Sequence, residues 1–365
     1  MEFIKVKDIC DIKTGKYDAN HSKEDGKYKF FTCALLPMKA DTYSFDGKLV
    51  MLPGNGANLG EVMYYEGKIE AYQRTYVLHN INIEAKFLYY FLKLNWKKYI
   101  LRRQIGSATN YMKLEDILNF EVPNISLDMQ KKIIDILDGA QRLIDKRKKQ
   151  IEELDLLVKS KFIEMFGDPV KNQKKLAKVK LSELGEWKTG GTPLRSKSEY
   201  YNGNIPWLSS GELNNKYCFK SNEMITESAI IESAAKIIEV GSLLLGMYDT
   251  AALKSTINMI ECSCNQAIAY SKLNENLVNT VYVYYCIQIG KEFYKSQQRG
   301  VRQKNLNLSM VKGLEILMPP LEFQNQFAEF VKQVDKLKFE MEKSLKELEN
   351  NFNSLMNKAF KGELF

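Results

Sequence analysis

At 365 residues and 42.2 kDa the chain is too long for one ordinary core, and its length suggests two or three domains. An apolar share of 45% with 27% charged residues excludes collagen-like and disordered chains. The excess of 53 basic over 45 acidic residues, +8, is compatible with an anionic partner but does not require one.

In chain order, the opening MEFIKVKDICDI does not read as a signal peptide. No run of about 18 uninterrupted apolar residues occurs, so no membrane span is expected, and the unpaired cysteines suit a reducing, cytoplasmic setting. Val6-Lys7 leads to Lys13-Thr14-Gly15, and KLVMLPGNG (48–56) and YVLHNINI (76–83) read as strands closed by Gly/Asn turns. Gly54-Asn55-Gly56-Ala57-Asn58-Leu59-Gly60 is spaced one residue too long for a dinucleotide fingerprint. Pro53 and the Tyr64-Tyr65-Glu66-Gly67 turn leave no room for the helix such a motif needs, so a tight turn is expected. Tyr72-Gln73-Arg74 is a polar spot, and the apolar-aromatic run FLYYFL (87–92) follows it. The loop from Arg102-Arg103-Gln104 through Ser107 to Asn110-Tyr111-Met112-Lys113 then combines cations, amides and an aromatic. Arg and Lys suit phosphates or guanine O6/N7, and Asn and Gln suit adenine N6/N7. Pro123 marks a strand end; residues 1–126 are read as a first globular domain and 127–167 as a long helix.

Residues 168–178, polar, basic and turn-rich, read as a linker, and 179–320 as a second globular domain. Val179-Lys180 again leads to Lys188-Thr189-Gly190; GSLLLGMYD (241–249) and AIAYSKL (267–273) read as strands. Asn265-Gln266 matches the earlier polar spot, and VYVYYC (281–286) lies 194 residues after FLYYFL. A second cationic and amide-rich loop, Gln297-Gln298-Arg299-Gly300-Val301-Arg302-Gln303-Lys304-Asn305, occupies the place equivalent to the first. Pro319-Pro320 closes this domain before a second long helix, 321–365.

The two helical segments carry the three-four apolar alternation of a coiled-coil seam. The first seam runs through Leu137, Ile144, Ile151, Leu154 and Val158, and the second through Val331, Met341, Leu345, Leu348, Phe352 and Leu355. Both keep one heptad phase at an offset of 194 residues, where Leu127 and Leu321, Gln130 and Gln324, and Leu154 and Leu348 are identical. Where one seam carries a charge the other is apolar: Arg147 against Met341, Lys161 against Leu355, Lys338 against Ile144. Such seams suit pairing with each other. The expected fold is therefore α+β: two similar globular α/β domains separated by two long helices that pack as an antiparallel coiled coil, an internal repeat with pseudo-twofold character.

Catalytic signatures fail. Only His21 and His79 exist, with no H-E-x-x-H, and the six cysteines form no C-x-x-C, so buried free thiols are expected. There is no G-x-x-x-x-G-K-[ST]; Met318-Pro319-Pro320-Leu321 lacks the Asn and the aromatic of an adenine methylase motif. No catalytic residue, metal site or cofactor is therefore assigned to this chain. The alternative reading is a helical assembly scaffold whose α/β domains bind protein or RNA.

The pattern resembles the specificity subunit of Type I restriction-modification systems over essentially the whole chain. The resemblance is carried by the proline–leucine–x–x–glutamine start of each helix, Pro123…Leu127…Gln130 and Pro320-Leu321…Gln324, by KTGGTP (188–193), NGNIPWLSSGEL (202–213) and KAFKGELF (358–365). The first half departs from it: KTGKYDAN (13–20) lacks the GGTP form and FTCALLP (31–37) replaces the IPWLSS strand. The resemblance implies two target recognition domains, each reading one half of a bipartite, asymmetric double-stranded DNA site, with the helices as spacer. It further implies two methyltransferase subunits holding S-adenosylmethionine, and restriction subunits that use ATP and Mg. The specificity subunit itself would catalyse nothing.

Overall fold

The computed structural model describes residues 2–103, 110–248, 252–296 and 305–364. The chain forms two compact units, Met1–Lys149 with Glu342–Phe365, and Gln150–Met341. The first long helix, Leu127–Phe166, and the second, Leu321–Lys361, each lend a part to both units.

In the first unit a four-stranded antiparallel sheet has the order Asp11–Thr14, Thr75–His79, Lys48–Pro53, Met63–Glu66. Beside it lies a three-stranded sheet, Met38–Ala40, Tyr28–Phe31, Ile69–Ala71, whose last two strands are parallel. The strand Phe3–Lys5 pairs with Glu121–Pro123, which returns the chain to its start before the long helix begins. Residues 49–53 are apolar without alternation because both faces of that stretch are covered. Val50 and Leu52 face the helix Ala85–Leu101, with Trp96, Leu88 and Leu92, while Leu49 and Met51 join Phe31, Phe45 and Ile69 on the other side.

The second unit repeats this plan. Its main sheet has the order Lys188–Thr189, Ile268–Ser271, Leu243–Gly246, Ser255–Asn258, Tyr217–Cys218, one strand more than the first. A second sheet, Glu223–Ile225, Tyr201–Leu208, Ser263–Cys264, again ends in a parallel pair, and Lys178–Lys180 pairs with Glu315–Leu317. Leu243 and Leu245 face the helical core and Leu244 the other side. The repeated Lys-Thr-Gly has a packing cause. A Cβ on Gly15 would sit 1.7 Å from the Ala71 carbonyl oxygen, and one on Gly190 2.2 Å from that of Cys264.

The long helices pack antiparallel. In the first unit Leu137 and Ile144 share a core with Phe352, Met356 and Ala359, and Lys148 pairs with Glu349 at 3.0 Å. In the second, Leu154, Val158, Phe162 and Phe166 share one with Phe327, Val331 and Val334. There the charged seam position Lys338 is met by Asp155 at 2.7 Å. Ile151, Met341, Leu345, Leu348 and Leu355 are half-buried. The first helix stops at Gly167, whose φ of +79° is a left-handed C-terminal cap, and Lys174 donates to the carbonyls of Glu164 and Met165 at 2.6 and 2.8 Å. The segment after that helix is thus a built cap as well as a connection.

A glutamine fixes the start of each helix. Gln130 is buried; its Oε1 accepts from the Glu84 backbone N–H at 2.9 Å and its Nε2 donates to the Ile125 carbonyl at 2.9 Å. Gln324 does the same with Asn279 N–H at 2.9 Å and the Pro319 carbonyl at 2.8 Å. Glu84 and Asn279 each precede the first turn of a domain helix, Ala85–Leu101 and Thr280–Ile289, so one side chain satisfies an orphan donor there.

Candidate nucleic-acid interface

The first unit gathers two of the sequence-derived spots at one corner. The strand Lys48–Pro53 runs into Gly54, whose N–H donates to the Arg74 carbonyl at 2.8 Å and whose carbonyl accepts from Met112 N–H at 3.1 Å. Asn55 bridges Tyr111, and Gly56 N–H donates to the Asn110 carbonyl at 3.0 Å. The tight turn expected at 54–60 therefore holds the 72–74 and 110–113 segments side by side. Tyr72 through Thr75 form a turn closed by Thr75 N–H on the Tyr72 carbonyl at 2.8 Å. Gln73 donates through Nε2 to Asp18 at 3.0 Å, and Arg74 and Tyr111 are exposed. Asn55 Oδ1 accepts from the Cys33 thiol at 3.1 Å, and Asn58 donates to the Cys33 carbonyl at 2.8 Å.

Lys113 stands at the cap of the helix Leu114–Leu118, where the Asp116 carboxylate accepts its backbone N–H at 2.9 Å. Arg102 and Arg103 are exposed after the end of Ala85–Leu101, with the Arg103 guanidinium 4.5 Å over the Tyr99 ring. Among the described residues neither makes a hydrogen bond to the Gly54 corner. Gln104 and Ser107 lie outside the described residues, as do Gln297, Gln298, Arg299, Arg302, Gln303 and Lys304.

The second unit builds the same corner. Met247 N–H donates to the Ala267 carbonyl at 2.9 Å, and Met247 accepts from Leu306 N–H at 2.7 Å, just after Asn305. Asn265 N–H donates to the Leu208 carbonyl at 2.9 Å, as Tyr72 N–H does to Phe31 at 2.9 Å. The Asn265 side chain accepts from Ala267 N–H at 3.2 Å, so part of its capacity shapes the turn itself. Gln266 accepts from the Thr192 hydroxyl, the counterpart of the Gln73–Asp18 link.

One cation beside this corner escapes sequence reasoning. Arg195 lies 4.7 Å from the Tyr201 ring and 5.0 Å from that of Trp207, and binds Glu223 through both nitrogens, Nη2 to Oε1 at 3.2 Å. That hydrogen bonding holds the Glu223 carboxyl below its ordinary range. Trp207 is tied to the corner by its Nε1–H, which donates to the Gly191 carbonyl at 3.0 Å. Arg195 follows KTGGTP by two residues, a stretch informative only as a family mark, because its aromatic partners are remote in sequence.

All six cysteines are free, and burial pushes the Cys262 thiol up to about 12. Among the described residues no His, Cys, Asp and Glu group is placed to hold a metal ion, and no helix is long and apolar enough to cross a membrane.

The family described as the Type I restriction modification DNA specificity domain matches residues 1–155 and 173–350. The Type I restriction enzyme EcoDI specificity subunit of Escherichia coli is 35% identical over 156 residues, covering 43% of this chain and 34% of that one. The Type I restriction enzyme MjaIX specificity subunit of Methanocaldococcus jannaschii is 22% identical over 301 residues, covering 77% and 69%. The matches span only 34% of the EcoDI subunit and 54% of the Type I restriction enzyme EcoR124I/EcoR124II specificity subunit of Escherichia coli. The solved S subunit of a Type I restriction-modification system from M. genitalium aligns over 98% of this chain and 96% of its own at a TM-score of 0.58 and 16% identity, a likeness of fold. Because the family's two matched stretches cover most of its length, this chain belongs to the Type I restriction modification DNA specificity domain family.

Proposed function

We propose that this chain is the DNA-reading subunit of a Type I restriction-modification complex and has no catalytic step of its own. Each unit reads one half of a bipartite, asymmetric target, and the long helices set the distance between the halves. The recurrence of one hydrogen-bonded corner in both units, furnished with different side chains, carries this reading. Arg74 with Tyr111 in one, and Gln266 with Arg195 in the other, offer different donors and acceptors to base edges. Two modification subunits dock on this chain and bring S-adenosylmethionine for methylation; restriction subunits bring the ATP- and Mg-dependent nuclease, all in the cytoplasm.

The ruler is tested by removing one heptad from the middle of each long helix. Each helix shortens by about 10 Å, the length of about three base pairs. The gap between the half-targets, mapped by methylome sequencing of a host carrying the variant, is expected to shrink by about three base pairs. An unchanged gap would show that the helices do not set it.

A further inference from the structure

We propose that the loop 33–37 presents Leu36 as an apolar wedge that enters a base step of duplex DNA beside the first unit's corner; this rests on the DNA-reading function proposed above. Leu36 is 83% exposed, more than any other large apolar side chain among the described residues, and Leu35 beside it is 55% exposed. The loop is anchored on both sides. The Thr32 hydroxyl accepts from Ala34 N–H at 3.1 Å, Cys33 is held by Asn55 and Asn58, and Pro37 fixes the backbone beyond. Asn55 also bridges Tyr111, so the anchor is the corner itself. Leu36 lies three residues from Cys33, hence within about 10 Å of it along the chain.

At the place equivalent to this loop the second unit carries no exposed leucine among the described residues. After Leu208 its chain continues as Ser209-Ser210-Gly211-Glu212-Leu213, where Glu212 folds back to accept from Ser209 N–H at 2.8 Å and Leu213 is buried. The departure FTCALLP is therefore a feature of one reader only. A leucine inserted between bases unstacks and kinks the duplex, most readily at pyrimidine–purine steps. The half-target read by the first unit is thus expected to contain such a step, recognised through its deformability.

The test uses the full chain with its modification subunits, on the motif mapped in the host. Duplexes carry a fluorescent purine analogue at successive steps of both halves. Binding is expected to raise the fluorescence at one step in one half. Leu36→Ala should remove that rise and weaken binding about tenfold, while Leu36→Phe keeps it. Specific binding with no rise at any step, or a Leu36→Ala complex that matches the parent, overturns the wedge and leaves DNA reading standing. Loss of the modification subunits from the Leu36→Ala complex would assign Leu36 to a protein contact and also overturns it. Absence of any sequence-specific duplex binding by the parent complex overturns both the wedge and the function it rests on.

Discussion

Phe162→Ala is expected to destabilise the second unit by about 3–5 kcal/mol. The side chain is fully buried where three elements meet. Its ring stacks on Tyr282 at 5.6 Å and meets Phe166 at 5.1 Å and Phe327 at 5.4 Å edge to face. Truncation removes all three contacts and opens a void between the domain helix and both long helices. Urea unfolding measures it, with Trp96→Phe introduced so that Trp187 and Trp207 report on the second unit alone. Leu156→Ala, on the same helix but 62% exposed, should stay within about 0.5 kcal/mol of the parent. A loss below about 1 kcal/mol for Phe162→Ala would mean that this aromatic cluster does not hold the long helices to the domain.

Gln324→Ala should remove about 2–4 kcal/mol, because it strands the buried Pro319 carbonyl and the half-buried Asn279 N–H. Gln324→Leu distinguishes hydrogen bonding from packing. Leucine restores volume but satisfies neither group, so it should recover less than half of the loss. Full recovery by leucine would make the residue a space-filler. Gln130→Ala should behave alike in the first unit, where Glu84 N–H and the Ile125 carbonyl lose their partner.

The fold class was legible because it rests on periodic signals. The heptad phase shared at a fixed offset, the two proline-marked helix starts and the paired Lys-Thr-Gly segments are all local in sequence. The repeat then makes each half corroborate the other. A heptad pattern, however, names a face and not its neighbour. Leu137 and Ile144 share their core with Val50 and Leu88 of the first unit as well as with the second long helix. Drift also matters. A straight α-helix turns about 20° per heptad away from a strict 3.5 repeat. By the end of the first helix the buried positions are Phe162 and Phe166, while the seam position Lys161 reaches Glu164 at 2.9 Å.

The site was legible only in outline. Tyr72-Gln73-Arg74 and Asn265-Gln266 stand out by residue type, and the structure places both spots on the equivalent turn of their units. What each side chain is free to offer depends on contacts that sequence does not display. The Gln73 amide already serves Asp18, and the Arg195 guanidinium is aimed by Trp207 and Glu223, 12 and 28 residues away in the chain. Asn55 and Asn58 looked like turn formers and are also the clamp on the 33–37 loop.

One exchange tests the central claim most directly. Residues 175–320 are replaced by the corresponding segment of another family member, and the adenine methylation pattern of a host carrying the hybrid is sequenced. Two readers on one ruler predict a bipartite motif in which a single half has changed and the other half and the gap are retained. A motif changed in both halves, or in neither, would contradict it.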